Sequence, residues 1–551
     1  MKLSGSEDAM LRDIAAAQTG SAGLASLCAY GSKVAGYARP DSDYDLIAVA
    51  KKFGEGVRYK YTEDPVAASV LIVDEALLLD DARSSYLGEF VVGRLLNVYE
   101  PIMNGELLHR AELEYKRRVV VEGLMELTSD YGEFCRDLVV PYDYFLFNKL
   151  HKRSVVYPPA LFSYIQTYSC PQAAENREAT LAGFRDAAAA LADAGLLIRQ
   201  ADHVRIMPEM MKGDAFTKLS SLFSLTARGV AQYAVHGYAG RVGLNIFRRE
   251  ASSKINRMRT APKSPAELEK PKSLLRLEEG LVLVDASKIE NQLARISGME
   301  DFKAQVRDLG EPYSTTQVVK LVSGTRERSF VVKNFADLRS LKWALLGFWA
   351  FSTNKFSMTP MARLEREYSA GRLLRAAGIK TPVTVAIAPD ERILVKEFIE
   401  GDTLSHVVDG LLRGSEDGLD HVRAFAEVLA RAHAAGIALG DAKASNVVIA
   451  RDGLYLTDLE QAIEGGDPAW DVAEFLYYTG KLLTKEQGMD KVARVFLAAY
   501  AGSGDRSVIG RAKKPKYLRP FQPFIKTGMA SLLRELMTKY ESMPLTDLQR
   551  K

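Results

Sequence analysis

Gly436-Ile437-Ala438-Leu439-Gly440-Asp441-Ala442-Lys443-Ala444-Ser445-Asn446-Val447-Val448-Ile449-Ala450-Arg451-Asp452-Gly453-Leu454-Tyr455-Leu456-Thr457-Asp458-Leu459-Glu460 is the stretch that decides how this chain is read. Asp441, Lys443 and Asn446 follow the spacing D-x-K-x-x-N. An apolar strand, a turn at Asp452-Gly453 and a second strand over 454–457 come next, with Asp458 at the end. A hairpin of that length brings Asp441, Asn446 and Asp458 into one cleft. These residue types suit phosphoryl transfer, in which the γ-phosphoryl group leaves with charge on its oxygens and the protein positions and neutralises it. Asp441 is expected to orient the attacking hydroxyl and accept its proton, and Lys443 to neutralise the transferring group. Asn446 and Asp458 are expected to hold Mg2+ through hard oxygens.

The stretch resembles protein kinase-like folds, most closely the small atypical archaeal kinases: the RIO kinases and the kinase of the complex that makes threonylcarbamoyladenosine in tRNA. The resemblance implies a bilobal domain that uses ATP and Mg2+. Two positions depart from the family pattern. Leu439 stands where a His is usual before Gly-Asp, and the metal-binding triplet that usually ends in Gly is Asp458-Leu459-Glu460. Neither change removes a phosphate or metal ligand.

A kinase reading makes demands upstream of Asp441. Val331-Val332-Lys333 supplies a lysine at the end of an apolar strand, placed to pair with the α/β-phosphates. The helical segment 361–376 offers Glu367 as its partner, with Glu365 as the alternative. Leu394-Val395-Lys396-Glu397-Phe398-Ile399-Glu400-Gly401 resembles the hinge strand, so backbone groups of Glu397 and Ile399 are expected at the adenine of ATP. The phosphate-covering loop falls at 309–316 and carries a single glycine, Gly310. An apolar segment at 341–358, with Trp343 and Trp349, is expected to pack on the small lobe. Asp471 follows Asp458 by so few residues that a full activation loop does not fit; the acceptor need not be a peptide, and Lys443 favours serine/threonine or other alcohol acceptors.

A second pattern sits near the start. After a strand over 24–30 come Gly31 and Ser32, then Asp43-Tyr44-Asp45 at the head of another strand. Gly31 lets backbone approach a triphosphate closely, and Ser32 can donate to it. Asp43 and Asp45, two apart on a strand, share a face, where paired carboxylates can hold Mg2+ for attack on an α-phosphate. This resembles the DNA polymerase β-type nucleotidyltransferases in their minimal form. Members usually carry a third carboxylate on a following strand; here that strand, 67–74, has Asp74 at its end as its one acid. Nucleotide transfer and nucleotide or RNA binding without transfer both stay open.

With 551 residues, the chain is too long for one core. A net charge of +3 does not by itself imply nucleic-acid binding. Cys28, Cys135 and Cys170 lie far apart, leave an odd thiol and point to a reducing, cytoplasmic compartment. No apolar run reaches the ~18 residues of a membrane span, so no membrane partner is expected. The aromatics Tyr142, Tyr144, Phe145 and Phe147 read as core. The helix at 181–194, glycine Gly195 and two short strands fit either a winged helix or an ordinary helical bundle. Arg248, Arg249, Lys254, Arg257, Arg259, Lys263, Lys270 and Lys272, interleaved with prolines, read as a basic linker. Arg506, Arg511, Lys513, Lys514, Lys516 and Arg519 alternate with Tyr517, Phe521 and Phe524, which fits either a single-strand RNA surface or a tail clamped on its own domain.

The expected organisation is an α+β multidomain chain. A nucleotidyltransferase-like α/β domain spans 1–110, a helical or winged-helix connector 111–235, a basic linker 236–285 and a bilobal kinase-like domain 286–551. A nucleotide is the expected ligand, and an unidentified protein or RNA, tRNA included, the expected acceptor.

Overall fold

The computed structural model describes residues 4–207, 262–283, 288–309, 316–335, 359–481 and 485–544. Arg248 to Arg259 of the basic run, Gly310 with its loop, and the apolar segment with Trp343 and Trp349 lie outside the described residues. The chain divides into two compact units, Met1–Glu278 and Glu279–Lys551.

Unit 1 is built on a five-stranded sheet of β1 (Leu24–Tyr30), β2 (Tyr44–Ala50), β3 (Val57–Thr62), β4 (Ala68–Asp74) and β5 (Tyr99–Met103), in the order β3-β4-β2-β1-β5. The centres of β2 and β4 are buried, as their continuous apolar runs require. Helix α1 (Gly5–Thr19) packs Leu11, Ile14 and Ala15 into the sheet's core. Its start is fixed by a capping box between Ser4 and Glu7. The parallel register of β2 and β4 pairs Asp45 with Ser69 and Ala50 with Asp74. Asp74 is therefore at the far end of the sheet from Asp43 and Asp45. It caps the helix Glu75–Ser84, accepting from the Ala76 and Leu77 N–H groups.

The rest of unit 1 is helical: α4 (Gly105–Tyr131), α5 (Tyr142–Val156), α6 (Pro159–Ser169) and α7 (Ala173–Asp193). Tyr142, Tyr144, Phe145 and Phe147 are all buried. Helix α7 ends where Gly195 adopts φ 71°, with the Leu196 N–H reaching back to the Leu191 carbonyl. A hairpin of β7 (Leu197–Arg199) and β8 (His203–Ile206) follows, and β8 pairs with β6 (Leu138–Pro141). Part of the segment read as a linker is folded. Leu268 and Leu275 are buried, Lys272 pairs with Asp130 at 3.1 Å, and β9 (Arg276–Leu277) pairs with β6. Its leucines, which a reading of charge and proline passes over, anchor it.

Unit 2 carries an antiparallel sheet of β11 (Lys303–Asp308), β12 (Thr316–Ser323), β13 (Arg326–Asn334), β15 (Ile393–Glu397) and β14 (Thr384–Ala388), in that order, with β10 (Leu281–Val282) parallel to β14. The helix Pro360–Ala376, capped by Thr359, precedes β14. Beyond β15 the unit is mainly helical, around a core that includes Phe425, Phe475, Phe496 and Tyr500. Strands β18 (Val447–Ala450) and β19 (Gly453–Leu456) form a hairpin there. Tyr517 and Phe521 belong to this core, and Phe521 packs 5.7 Å from Trp470, ring centre to ring centre. Two of the three tail aromatics are thus clamped onto their own unit, while Phe524 is exposed.

Candidate functional site

In unit 2 the β18–β19 hairpin presents one cluster. Asp441, Lys443, Asn446 and Asp458 line a common small cavity with Thr457. The Asn446 side-chain amide donates to the Asp441 carbonyl at 2.9 Å and to its carboxylate at 3.0 Å. Its amide nitrogen is spent on that loop, so its oxygen is the atom suited to a hard cation. The Thr457 N–H and hydroxyl both donate to the Asn446 carbonyl, at 2.8 and 3.0 Å. This ties the end of β19 to the loop. Asp458 then turns with φ 55°, a conformation in which Asp is one of the more tolerant residues.

Lys333, on β13, makes an ion pair with Asp458 and lies 3.4 Å from Glu367 and 3.1 Å from Glu460. Glu367, not Glu365, faces it from the helix Pro360–Ala376. Glu397 closes β15, but its N–H is already donated to the Val383 carbonyl. Ile399 lies just beyond the strand and is partly buried.

Four side chains of this cluster have contacts that a reading by motif does not give. Lys396 donates to Glu367 at 2.7 Å, so that one buried carboxylate serves two lysines. Glu460 pairs with both Lys333 and Arg363. Glu474 sits under the loop, accepting from the Ala442 N–H at 2.9 Å and the Trp470 indole at 3.1 Å, with Lys443 at 3.9 Å. Beside it Asp471, fully buried, accepts from the N–H groups of Leu439 and Gly440 at 2.6 and 2.8 Å and contacts His433 at 2.9 Å. The sequence signal for these last two is an acid pair, Asp471 and Glu474, on an otherwise apolar helix, where unpaired charge is costly.

The electrostatics follow from the crowding. Burial opposes charge on Glu367, yet Lys333 and Lys396 hold its pKa down at about 2. Burial, aided by Glu460, Glu367 and Asp441 and opposed by Lys333, raises Asp458 to about 6. Burial and Asp441 push the Glu474 carboxyl well above the usual carboxylate range. Among the described residues no group of three or more His, Cys, Asp or Glu is arranged to hold a metal. The hard oxygens that this loop presents to the cavity belong to the Asp441 and Asp458 carboxylates and the Asn446 amide. Lys333 already seats a cation on Asp458.

In unit 1 the sequence-predicted residues meet in a separate cleft of about 580 Å³, lined by Gly31, Ser32, Asp43 and Asp45. Gly31 has φ 79°, and a Cβ there would collide with the Asp45 carboxylate. Ser32 opens the short helix α2 (Ser32–Ala35). Asp43 accepts from the Ser69 hydroxyl at 2.6 Å, so a serine of β4 occupies the position beside the acid pair. The cleft is also lined by Arg39, Arg94 and Arg153, which motif reading does not single out. Among the described residues, no helix is long and apolar enough to cross a membrane.

No family model matches the chain. Over 99 residues the chain is 30% identical to a curated protein of Pyrococcus abyssi, KEOPS complex subunit Bud32; the match covers 17% of this chain and 44% of that one. The chain thus spans under half the length of the curated relative it matches. Among solved structures, WaaP in complex with acyl carrier protein aligns over 46% of this chain and 96% of its own, at 15% identity and TM-score 0.22. The bifunctional kinase-methyltransferase WbdD aligns over 46% and 49%, at 15% identity and TM-score 0.25. Likeness at those scores adds no weight. The hairpin cluster, the Lys333–Glu367 pair and the resemblance to Bud32 together give unit 2 a kinase-like fold.

Proposed function

We propose that unit 2 is an atypical kinase that uses ATP and Mg2+ to phosphorylate a serine, threonine or other alcohol, or couples ATP hydrolysis to a partner. The observation that carries this reading is the convergence of Lys333, Glu367, Asp441, Asn446 and Asp458, drawn from three separate stretches of chain, on one cluster. Asp458 and the Asn446 amide oxygen would hold Mg2+, which when bound would supply charge neutralisation for phosphoryl transfer. Lys333, oriented by Glu367, would bind the α/β-phosphates. Asp441, anchored by the Asn446 amide, accepts the hydroxyl proton of the acceptor. Lys443, held by Asp441 at 2.5 Å, stands ready to neutralise the moving phosphoryl group. Asp471 and Glu474 fix the loop backbone from beneath. Bud32 belongs by name to a KEOPS complex, which supports a protein partner. The test is Mg2+-dependent turnover of γ-labelled ATP, with and without bulk tRNA. Turnover lost in Asp458→Ala supports the reading, and unchanged turnover rejects it.

A second reading is favoured by the unit 1 cleft, where Gly31, Ser32, Asp43 and Asp45 share one wall system with three arginines. In that reading unit 1 is a nucleotidyltransferase-like domain that moves an NMP group to RNA or protein. Its test is labelled product from an α-labelled nucleotide, present in wild type and absent in Asp43→Ala.

A further inference from the structure

We propose that Glu460 is a positioning residue: paired with Arg363, it locks the helix Pro360–Ala376 in the place from which Glu367 holds Lys333. The consequence for nucleotide binding rests on the kinase reading of unit 2, whereas the lock itself is a property of the folded chain alone.

Glu460 stands where the kinase-like pattern has glycine, and phosphoryl transfer by Asp441, Lys443, Asn446 and Asp458 makes no use of it. It is nevertheless buried, and a buried carboxylate is costly unless paired. Both of its oxygens meet the Arg363 guanidinium at 3.4 Å, and one lies 3.1 Å from the Lys333 ammonium. A glycine supplies neither contact.

The turn that presents Glu460 is fixed on both sides. Leu459 is buried in the core of the unit, and the Gln461 carbonyl lies so close to Gly440 that a Cβ there would collide with it. The Ala462 N–H closes the turn on the Leu459 carbonyl at 3.0 Å. Glu460 is thereby a fixed post beside the loop that carries Asp441.

On the helix, Arg363 and Glu367 are four residues apart and share a face. Glu367 is tied to the sheet by Lys396 at 2.7 Å and Lys333 at 3.4 Å. That attachment alone leaves the helix able to pivot about it. A second attachment one turn away, ~5.4 Å along the axis, runs from Arg363 to Glu460 and sets rotation and axial position together. The buried Phe335 ring lies 5.7 Å from the Arg363 guanidinium and 5.1 Å from the Lys333 ammonium, an apolar wall shared by both pairs. A helix clamped at two points presents Glu367 to Lys333 without a long activation segment, for which the spacing from Asp458 to Asp471 leaves little room.

The experiment is amide hydrogen exchange on the full chain without nucleotide, comparing wild type, Glu460→Gly, Glu460→Gln and Arg363→Gln. Protection of the amides in 360–376 is expected to fall ~10-fold or more in each variant, with the helix Leu419–Ala434 of the same unit unchanged. Glu460→Gln keeps the shape of the side chain and stays informative if Glu460→Gly fails to fold; thermal unfolding traces accompany all three. The same substitutions are then titrated with ADP in an Asp43→Ala background, which removes a carboxylate of the unit 1 cleft, once with MgCl2 and once with EDTA. Each is expected to weaken ADP binding ~10-fold, the scale of one charge-assisted contact, and equally in both media. Unchanged protection of the helix in Glu460→Gln and Arg363→Gln overturns the proposal. So does a loss of ADP affinity confined to MgCl2, which would make Glu460 a metal ligand instead of a post for the helix. If the parent protein binds no ADP while the exchange result holds, the kinase reading falls and the lock stands. Bound ADP with unchanged exchange removes the lock and leaves the kinase reading.

Discussion

In unit 2 the acids Glu367, Asp441, Asp458, Glu460 and Glu474 each face a lysine or arginine of the same cluster, at contact distance or just beyond. In unit 1, Asp43 and Asp45 line an open cleft of about 580 Å³ together with Arg39, Arg94 and Arg153. The first arrangement is locked and the second is open. A locked cluster keeps its geometry without ligand and is suited to positioning a reaction, at the cost of strong coupling between its charges. An open cleft of mixed charge is suited to receiving a ligand that completes it.

The contrast can be broken most directly at the metal-side acid. Asp458→Ala is expected to reduce γ-phosphate turnover by ~10²–10³-fold or more, the scale seen when one preorganised charge-stabilising group is removed. Transfer from an α-labelled nucleotide at unit 1 should be unaffected, and a parallel loss there would mean that the two regions do not act separately. Stability gives the next largest contrast. Asp471→Ala leaves the Leu439 and Gly440 N–H groups without their acceptor in a buried place, and is expected to cost about 3–5 kcal/mol in urea denaturation. Asp43→Ala, at a half-exposed position with one side-chain donor, is expected to cost about 1 kcal/mol. Equal losses would erase the distinction between locked and open.

Acid sharpens the same comparison. The Glu367 pKa is lowered from 4.5 to about 2 in the folded chain. Its contribution to stability is therefore complete above pH 4.5 and is lost as pH falls toward 2. Denaturation measured between those limits should show a steeper fall for wild type than for Glu367→Gln; parallel curves would contradict the two-lysine environment. The smallest effect belongs to unit 1. Ser69→Ala removes one hydrogen bond to Asp43 and should cost about 0.5–1.5 kcal/mol in urea denaturation.

Legibility in the sequence followed the length scale of each feature. Asp441, Lys443, Asn446 and Asp458 fall on one hairpin, so spacing alone brings them together, and the strand-end position of Lys333 pointed to Glu367 across a longer gap. Lys396 and Glu460 were invisible as partners because their roles depend on how β15 and the loop after β19 pack, which no local pattern encodes. Arg94 and Arg153 were missed for the same reason: they are about 60 residues apart in sequence and line one cleft because the Arg153 guanidinium lies against Gly93. The folded portion of the basic segment was masked by its lysines and prolines, although Leu268 and Leu275 carry its burial. The tail shows the converse. Its composition allowed an RNA surface or a clamp, and the burial of Tyr517 and Phe521 leaves Phe524 as the exposed ring among the three.

The measurement that bears most directly on the central claim is γ-labelled ATP turnover by wild type, Asp441→Ala and Asp43→Ala, assayed side by side with Mg2+. The account predicts that Asp441→Ala abolishes turnover and Asp43→Ala retains it. Turnover that survives Asp441→Ala and disappears with Asp43→Ala would contradict the assignment of catalysis to unit 2.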